Sequence, residues 1–132
     1  MSRETIHVLV VDDDEDACVV MKALLESCGA VVTTVSDAEA ALRVLETFAV
    51  DVIVSDIAMP RRDGYWLIRE IRNRPPLVNI PGIALTALVE PEDRRRILAA
   101  GYQAHLAKPF GIEHVWTTIQ HVVTRARECT GQ

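Results

Sequence analysis

Five acids in a row, Asp12 to Asp16, stand directly after the apolar run Val8 to Val11. Farther along, three more apolar runs end on polar groups, at Ser55-Asp56, Thr86-Ala87 and Lys108-Pro109. If Asp12, Asp13 and Asp56 share one pocket, three carboxylates face one another. Like charges a few ångströms apart at a protein surface repel by roughly several kcal/mol in total. Either a counter-charge is supplied or the carboxyl pKa values rise. Lys108 supplies one positive charge, and a divalent cation supplies the rest. The set holds oxygen ligands and neither Cys nor His, so Mg²⁺, or Mn²⁺, suits it better than zinc. Asp14, Glu15 and Asp16 have a separate task at the start of a helix, where exposed N–H groups and the helix dipole favour carboxylates.

Those residues have to be brought together by the elements that carry them, and the sequence alternates strand and helix. Ile6 to Val11 reads as a buried, β-branched strand, followed by a helix with Ala17, Val20, Met21, Leu24, Leu25 and Cys28 at helical spacing and Gly29 at its end. Ala30 to Val35 is the second strand. Asp37 caps a helix carrying Ala38, Ala41, Leu42 and Leu45. Val50 to Ser55 is the third strand, and after the loop DIAMPRRDG comes a helix with Leu67, Ile68 and Ile71 inward, stopped by Pro75-Pro76. Ile83 to Thr86, a helix from Glu90 to Ala100 closed by Gly101, a short strand from Ala104 to Ala107 and a last amphipathic helix complete the chain.

Strands separated by helices imply a doubly wound α/β fold, with a parallel sheet covered on both faces. Such sheets place their sites beyond the carboxyl ends of the strands. In the strand order 2-1-3-4-5, strands one and three are neighbours, which sets Asp12 and Asp13 beside Asp56. Taken singly, a strand-end acid is most often a turn or cap residue, Lys108 a solvated lysine and Thr86 a hydroxyl bonded to backbone. Their joint appearance on one rim is what calls for a functional reading. His114 and His121, and the run Arg94-Arg95-Arg96, read as exposed helix faces.

With these residues in hand, the chain resembles the receiver domain of response regulators in bacterial two-component signalling. The matching stretches are VLVVDDDEDA, VDVIVSDIAMPRRDGYWLIREIR, IALTALV and GYQAHLAKPF, in this order, with 30 residues from Asp56 to Thr86 and 22 from Thr86 to Lys108. DIAMPRRDGYWLIR and GYQAHLAKPF are especially similar to receivers of hybrid sensor histidine kinases. The resemblance implies a flavodoxin-like (βα)5 sandwich. It also implies that Asp56 accepts a phosphoryl group from a histidine kinase or a phosphotransfer protein. Asp12, Asp13, Asp56 and the main-chain carbonyl of Ala58 would hold Mg²⁺. Lys108, the Thr86 hydroxyl and the Ala87 N–H would take the phosphoryl oxygens, and the Lys108-Pro109 bond would be cis. Thr86 would act as a switch together with the residue three before the lysine. The family has Tyr or Phe there, and this chain has His105.

The remaining features bound these expectations. The length of 132 residues fits one receiver domain, 1–132 with a core of about 5–126 and no output domain. Output is then contact with another protein, with a homodimer through helix four, strand five and helix five as one form. A net charge of −5 gives no basic surface for nucleic acid. The longest early apolar run is too short for a signal peptide or a membrane span. Three cysteines, Cys18, Cys28 and Cys129, make an odd set without metal spacing, which fits a reducing cytoplasm. The chain is expected to be no enzyme in the ordinary sense, although it assists its own phosphorylation and dephosphorylation. The competing readings are a pseudo-receiver docking module, a phosphate sink and a haloacid-dehalogenase-type phosphatase. The last of these takes its nucleophile from the first strand and needs acid motifs for which this chain has no room.

Overall fold

The computed structural model describes residues 5–87 and 90–130. The β-branched runs become five parallel strands: β1 (His7–Val11), β2 (Val31–Val35), β3 (Val52–Asp56), β4 (Gly82–Thr86) and β5 (Ala104–Ala107). Between and after them lie α1 (Glu15–Ser27), α2 (Ala38–Thr47), α3 (Gly64–Arg72), α4 (Pro91–Ala100) and α5 (Ile112–Thr130). The strand order is β2-β1-β3-β4-β5, the doubly wound arrangement expected from the alternation. A turn of 3-10 helix at Pro75–Leu77, where the two prolines stop α3, is an addition to the predicted elements.

Alternate residues of each strand feed two cores. Leu9, Val11 and Ile53 point to the side covered by α2, α3 and α4. Val8, Val10, Val52, Val54, Ile83 and Leu85 point to the side covered by α1 and α5. The helices follow their caps. Asp14 accepts from the N–H groups of Asp16 and Ala17, Asp37 from Ala40, and Asp63 from Trp66. Gly101 ends α4 at φ 125°, a conformation that glycine adopts without strain.

The predicted inward faces hold for α2, where Ala38, Ala41, Leu42 and Leu45 are all buried, and for Leu67, Ile68 and Ile71 of α3. On α1 the prediction needs correction. Cys18, Met21 and Leu25 form the buried line, whereas Val20 and Leu24 are 56% and 39% exposed. The apolar stripe read from the sequence is wider than the strip that one helix buries against a sheet. Strand three starts at Val52 rather than Val50, because the carboxylate of Asp51 turns aside to accept the His7 N–H at 2.8 Å. Cys18 and Cys28 are free thiols. The Cys129 side chain lies outside the described residues.

Candidate functional site

The strand register assembles the rim. Val11 pairs with Ser55, so the next residues, Asp12 and Asp56, fall side by side. Thr86 pairs with Ala107, and the Lys108 N–H donates to the Thr86 carbonyl at 2.9 Å. Carboxylate oxygens of Asp12, Asp13 and Asp56 all lie within 4.8 Å of one another. Lys108 Nζ stands 3.3 Å from Asp56 Oδ1. Asp12, Asp56 and Thr86 are buried, whereas Asp13 and Lys108 are exposed. Ala58 and Ala87 are exposed on the loops that leave β3 and β4. The Lys108-Pro109 peptide is cis.

The electrostatics answer the question posed by the acid run. Burial pushes the Asp12 carboxyl above its ordinary value; the neighbouring Asp56 and Asp13 add to that, while the Asp14 N–H and Lys108 oppose it. Three carboxylates against one ammonium leave two negative charges uncompensated, which one divalent cation would cancel. The donors are all oxygen, set close at the mouth of the sheet, and they fit a hard cation that keeps part of its water shell. Asp14, as expected, stays out of the cluster and caps α1. The Asp14 N–H donates to Asp12 Oδ1 at 2.9 Å, which fixes the orientation of the Asp12 carboxylate.

His105 is half-buried on β5 and pairs with Ala84 in the strand register. Burial lowers its imidazole pKa, and Arg94 lowers it further. Tyr102, by contrast, is locked in place. Its hydroxyl donates to the Gly64 carbonyl at 2.7 Å, its ring packs against Gly82, and burial pushes its phenol upward.

Several residues that shape the site escaped the sequence reading. Gly64 opens α3 so close to β3 that a β-carbon there would lie 2.7 Å from the Asp56 carbonyl. The Asp63-Gly64 pair after the loop is the one local signal for it. The Arg72 guanidinium gathers the carbonyls of Val78, Ile80 and Gly101 and the side chain of Gln103. Arg96, read as part of an exposed basic run, lies over the Tyr65 ring at 4.2 Å and joins α4 to α3. None of these contacts has a signature in local spacing. His114 and His121 are exposed on α5, and neither belongs to the acid cluster.

The fold and the acid rim have close counterparts among known proteins. A profile of the response regulator receiver domain matches residues 8–120. An uncharacterized 14.6 kDa protein of Leptolyngbya boryana is 43% identical over 104 residues, 79% of this chain and 79% of that protein. The chemotaxis response regulator CheY4 of Vibrio cholerae superposes with a TM-score of 0.85 at 30% identity, covering 90% of this chain and 99% of CheY4. The receiver domain of a sensor histidine kinase from Pseudomonas aeruginosa, solved with a magnesium ion in its active-site cleft, gives 0.84 at 36% identity, covering 92% and 99%. The chain belongs to the response regulator receiver family, with the flavodoxin-like fold of its CheY-like members. It spans 14% and 47% of the lengths of two longer relatives.

Proposed function

We propose that this receiver is a phosphoacceptor in a two-component phosphorelay, with Asp56 as the acceptor. The observation that carries the reading is the meeting of Asp12, Asp13 and Asp56 within 4.8 Å, with Lys108 on Asp56. A carboxylate oxygen of Asp56 attacks phosphorus in the phosphohistidine of a kinase or phosphotransfer protein. An O–P bond forms, the N–P bond breaks, and the freed imidazole takes a proton. The product is an aspartyl phosphate. Charge in this transfer spreads over three equatorial oxygens, so the protein's part is positioning and neutralisation. Lys108 meets one oxygen, and the Thr86 hydroxyl with the Ala87 N–H meets another. Asp12, Asp13, Asp56 and the Ala58 carbonyl would hold Mg²⁺. The ion's contribution is charge neutralisation at a phosphoryl oxygen. The magnesium recorded in the similar Pseudomonas receiver supports that assignment.

Phosphorylation then acts as a switch through Thr86 and His105, which lead to α4 and lie on β5. The surface formed by α4, β5 and α5 meets the next protein, or a second copy of the chain. Among the described residues no helix is long and apolar enough to cross a membrane; the partners in this reading are proteins rather than nucleic acid, in keeping with a net charge of −5, and the site of action is the cytoplasm, as in the two-component systems the family serves. We place the chain among signalling domains that assist their own phosphorylation rather than among turnover enzymes, as a single receiver domain over 1–132.

The reading is tested by phosphoprotein gel mobility with acetyl phosphate. A shifted band that requires Mg²⁺ and disappears in Asp56→Asn is the expected result. A wild-type chain that takes no label under these conditions would leave only a docking module.

A further inference from the structure

The loops on the site's rim are acidic. Asp12, Asp13 and Asp14 follow β1, Asp37 follows β2 and Asp63 lies on the loop that follows β3, yet the incoming phosphoryl group is itself an anion. Three cations on these loops oppose that field: Lys108, Arg61 and Arg62. Lys108 is engaged with Asp56 at 3.3 Å, and the Arg62 guanidinium lies over the Trp66 ring at 4.9 Å. Arg61 is exposed, and among the described residues its side chain has no hydrogen bond, ion pair or ring contact.

Its backbone is unusual as well. Arg61 adopts φ 67°, the left-handed region in which glycine sits freely and a side chain adds strain. It is the one non-glycine residue with positive φ among those described. The loop that holds it is short and is closed where Ile57, just after β3, meets Gly64 at the start of α3. The Gly64 N–H donates to the Ile57 carbonyl at 2.9 Å, and the Asp63 carboxylate accepts from Trp66 at 2.9 Å. Arg61 therefore stands on a loop whose two ends meet beside Asp56. The turn alone would favour glycine there, so the reason for arginine lies in its side chain.

We propose that Arg61 is a positioning residue for the incoming phosphoryl group. Its guanidinium receives the phosphoryl oxyanion as the donor crosses the acidic rim toward Asp56. A guanidinium fork matches phosphate oxygens, and a free cation beside a focused negative field raises the encounter rate of an anionic ligand. The inference rests on Asp56 as the acceptor.

The test is the second-order rate of labelling by acetyl phosphate with saturating Mg²⁺, measured at low and high salt. In this reaction an Asp56 oxygen–phosphorus bond forms, the acetyl oxygen–phosphorus bond breaks and acetate leaves. The donor carries no protein surface, so any effect belongs to the phosphoryl group. Arg61→Gly relieves the backbone strain and is expected to melt no lower than wild type, yet to label about three- to tenfold more slowly at low salt. Arg61→Lys keeps the charge and should stay within about twofold of wild type, and the deficit of Arg61→Gly should shrink at high salt. Equal rates for wild type and Arg61→Gly, or a slow rate in Arg61→Gly that accompanies a lower melting temperature, would overturn the inference. Asp56→Asn is run beside them. Labelling that survives in it would count against the acceptor itself, a different failure.

Discussion

Removing one carboxylate from the rim should separate metal binding from folding. Asp12 is buried beside two other acids, and its carboxyl is held above the ordinary value, chiefly by desolvation. A raised acid pKa means that the folded chain holds this proton more tightly than the unfolded chain. The group therefore opposes folding at neutral pH, and that opposition fades as pH falls through the raised value. Asp12→Asn should raise the melting temperature without metal and weaken Mg²⁺ by about tenfold or more, read from melts with and without the ion. A variant that melts lower and still binds Mg²⁺ normally would remove Asp12 from the site.

His105 carries the opposite sign. Its imidazole pKa is lowered, chiefly by burial, so the unfolded chain binds the proton better. The associated stability is present above the unfolded value near 6.5 and is lost as pH drops from there through the folded value. Proton NMR of the imidazole, with and without beryllofluoride, should give two different His105 titration curves; coincident curves would show that the ring takes no part in the switch. The acids, the hydroxyl and the lysine were legible in the sequence because each sits at the end of an apolar run. Tyr102 was not, since its partner Gly64 lies 38 residues away and no spacing rule joins them.

The elements explain why the rim residues meet at all. Parallel register sets Asp12 beside Asp56, and the strand order expected of a doubly wound sheet was enough to read the two as neighbours from sequence. Helix α3 bears directly on Asp56, because it starts at a glycine pressed against the end of β3. Gly64→Ala would drive a β-carbon into the Asp56 carbonyl and the Ile57 backbone. Overpacking of this kind costs about 1–3 kcal/mol, and on a domain of this size lowers the melting temperature by about 3–12 °C. A thermal melt checks it, and an unchanged midpoint would mean that α3 is free to slide. The α1 face shows the limit of pattern reading. A six-residue apolar stripe predicted more burial than the sheet provides, and Val20 and Leu24 remain in solvent. Arg72 was invisible for another reason, since its partners are main-chain carbonyls of loops whose approach is set by the tertiary fold.

At the scale of the whole molecule, the acid cluster lies at the carboxyl edge of the sheet, and the proposed switch would be felt on one side of it. Thr86 ends β4 just before α4, His105 lies on β5, and Arg96 couples α4 to α3 through the Tyr65 ring. A two-state shift on that side needs only a few kcal/mol of bias. Hydrogen exchange with and without beryllofluoride should therefore change within residues 86–116, and changes confined to α1, α2 and α3 would contradict this output face. The central claim is narrower, namely that Asp56 alone takes the phosphoryl group. Its most direct test is chemical mapping: the chain is treated with acetyl phosphate and Mg²⁺, reduced with borohydride and analysed by mass spectrometry. One modified residue is predicted, at position 56, absent from Asp56→Asn and from samples without Mg²⁺. Modification at another acid, or labelling of Asp56→Asn to the wild-type extent, would contradict it.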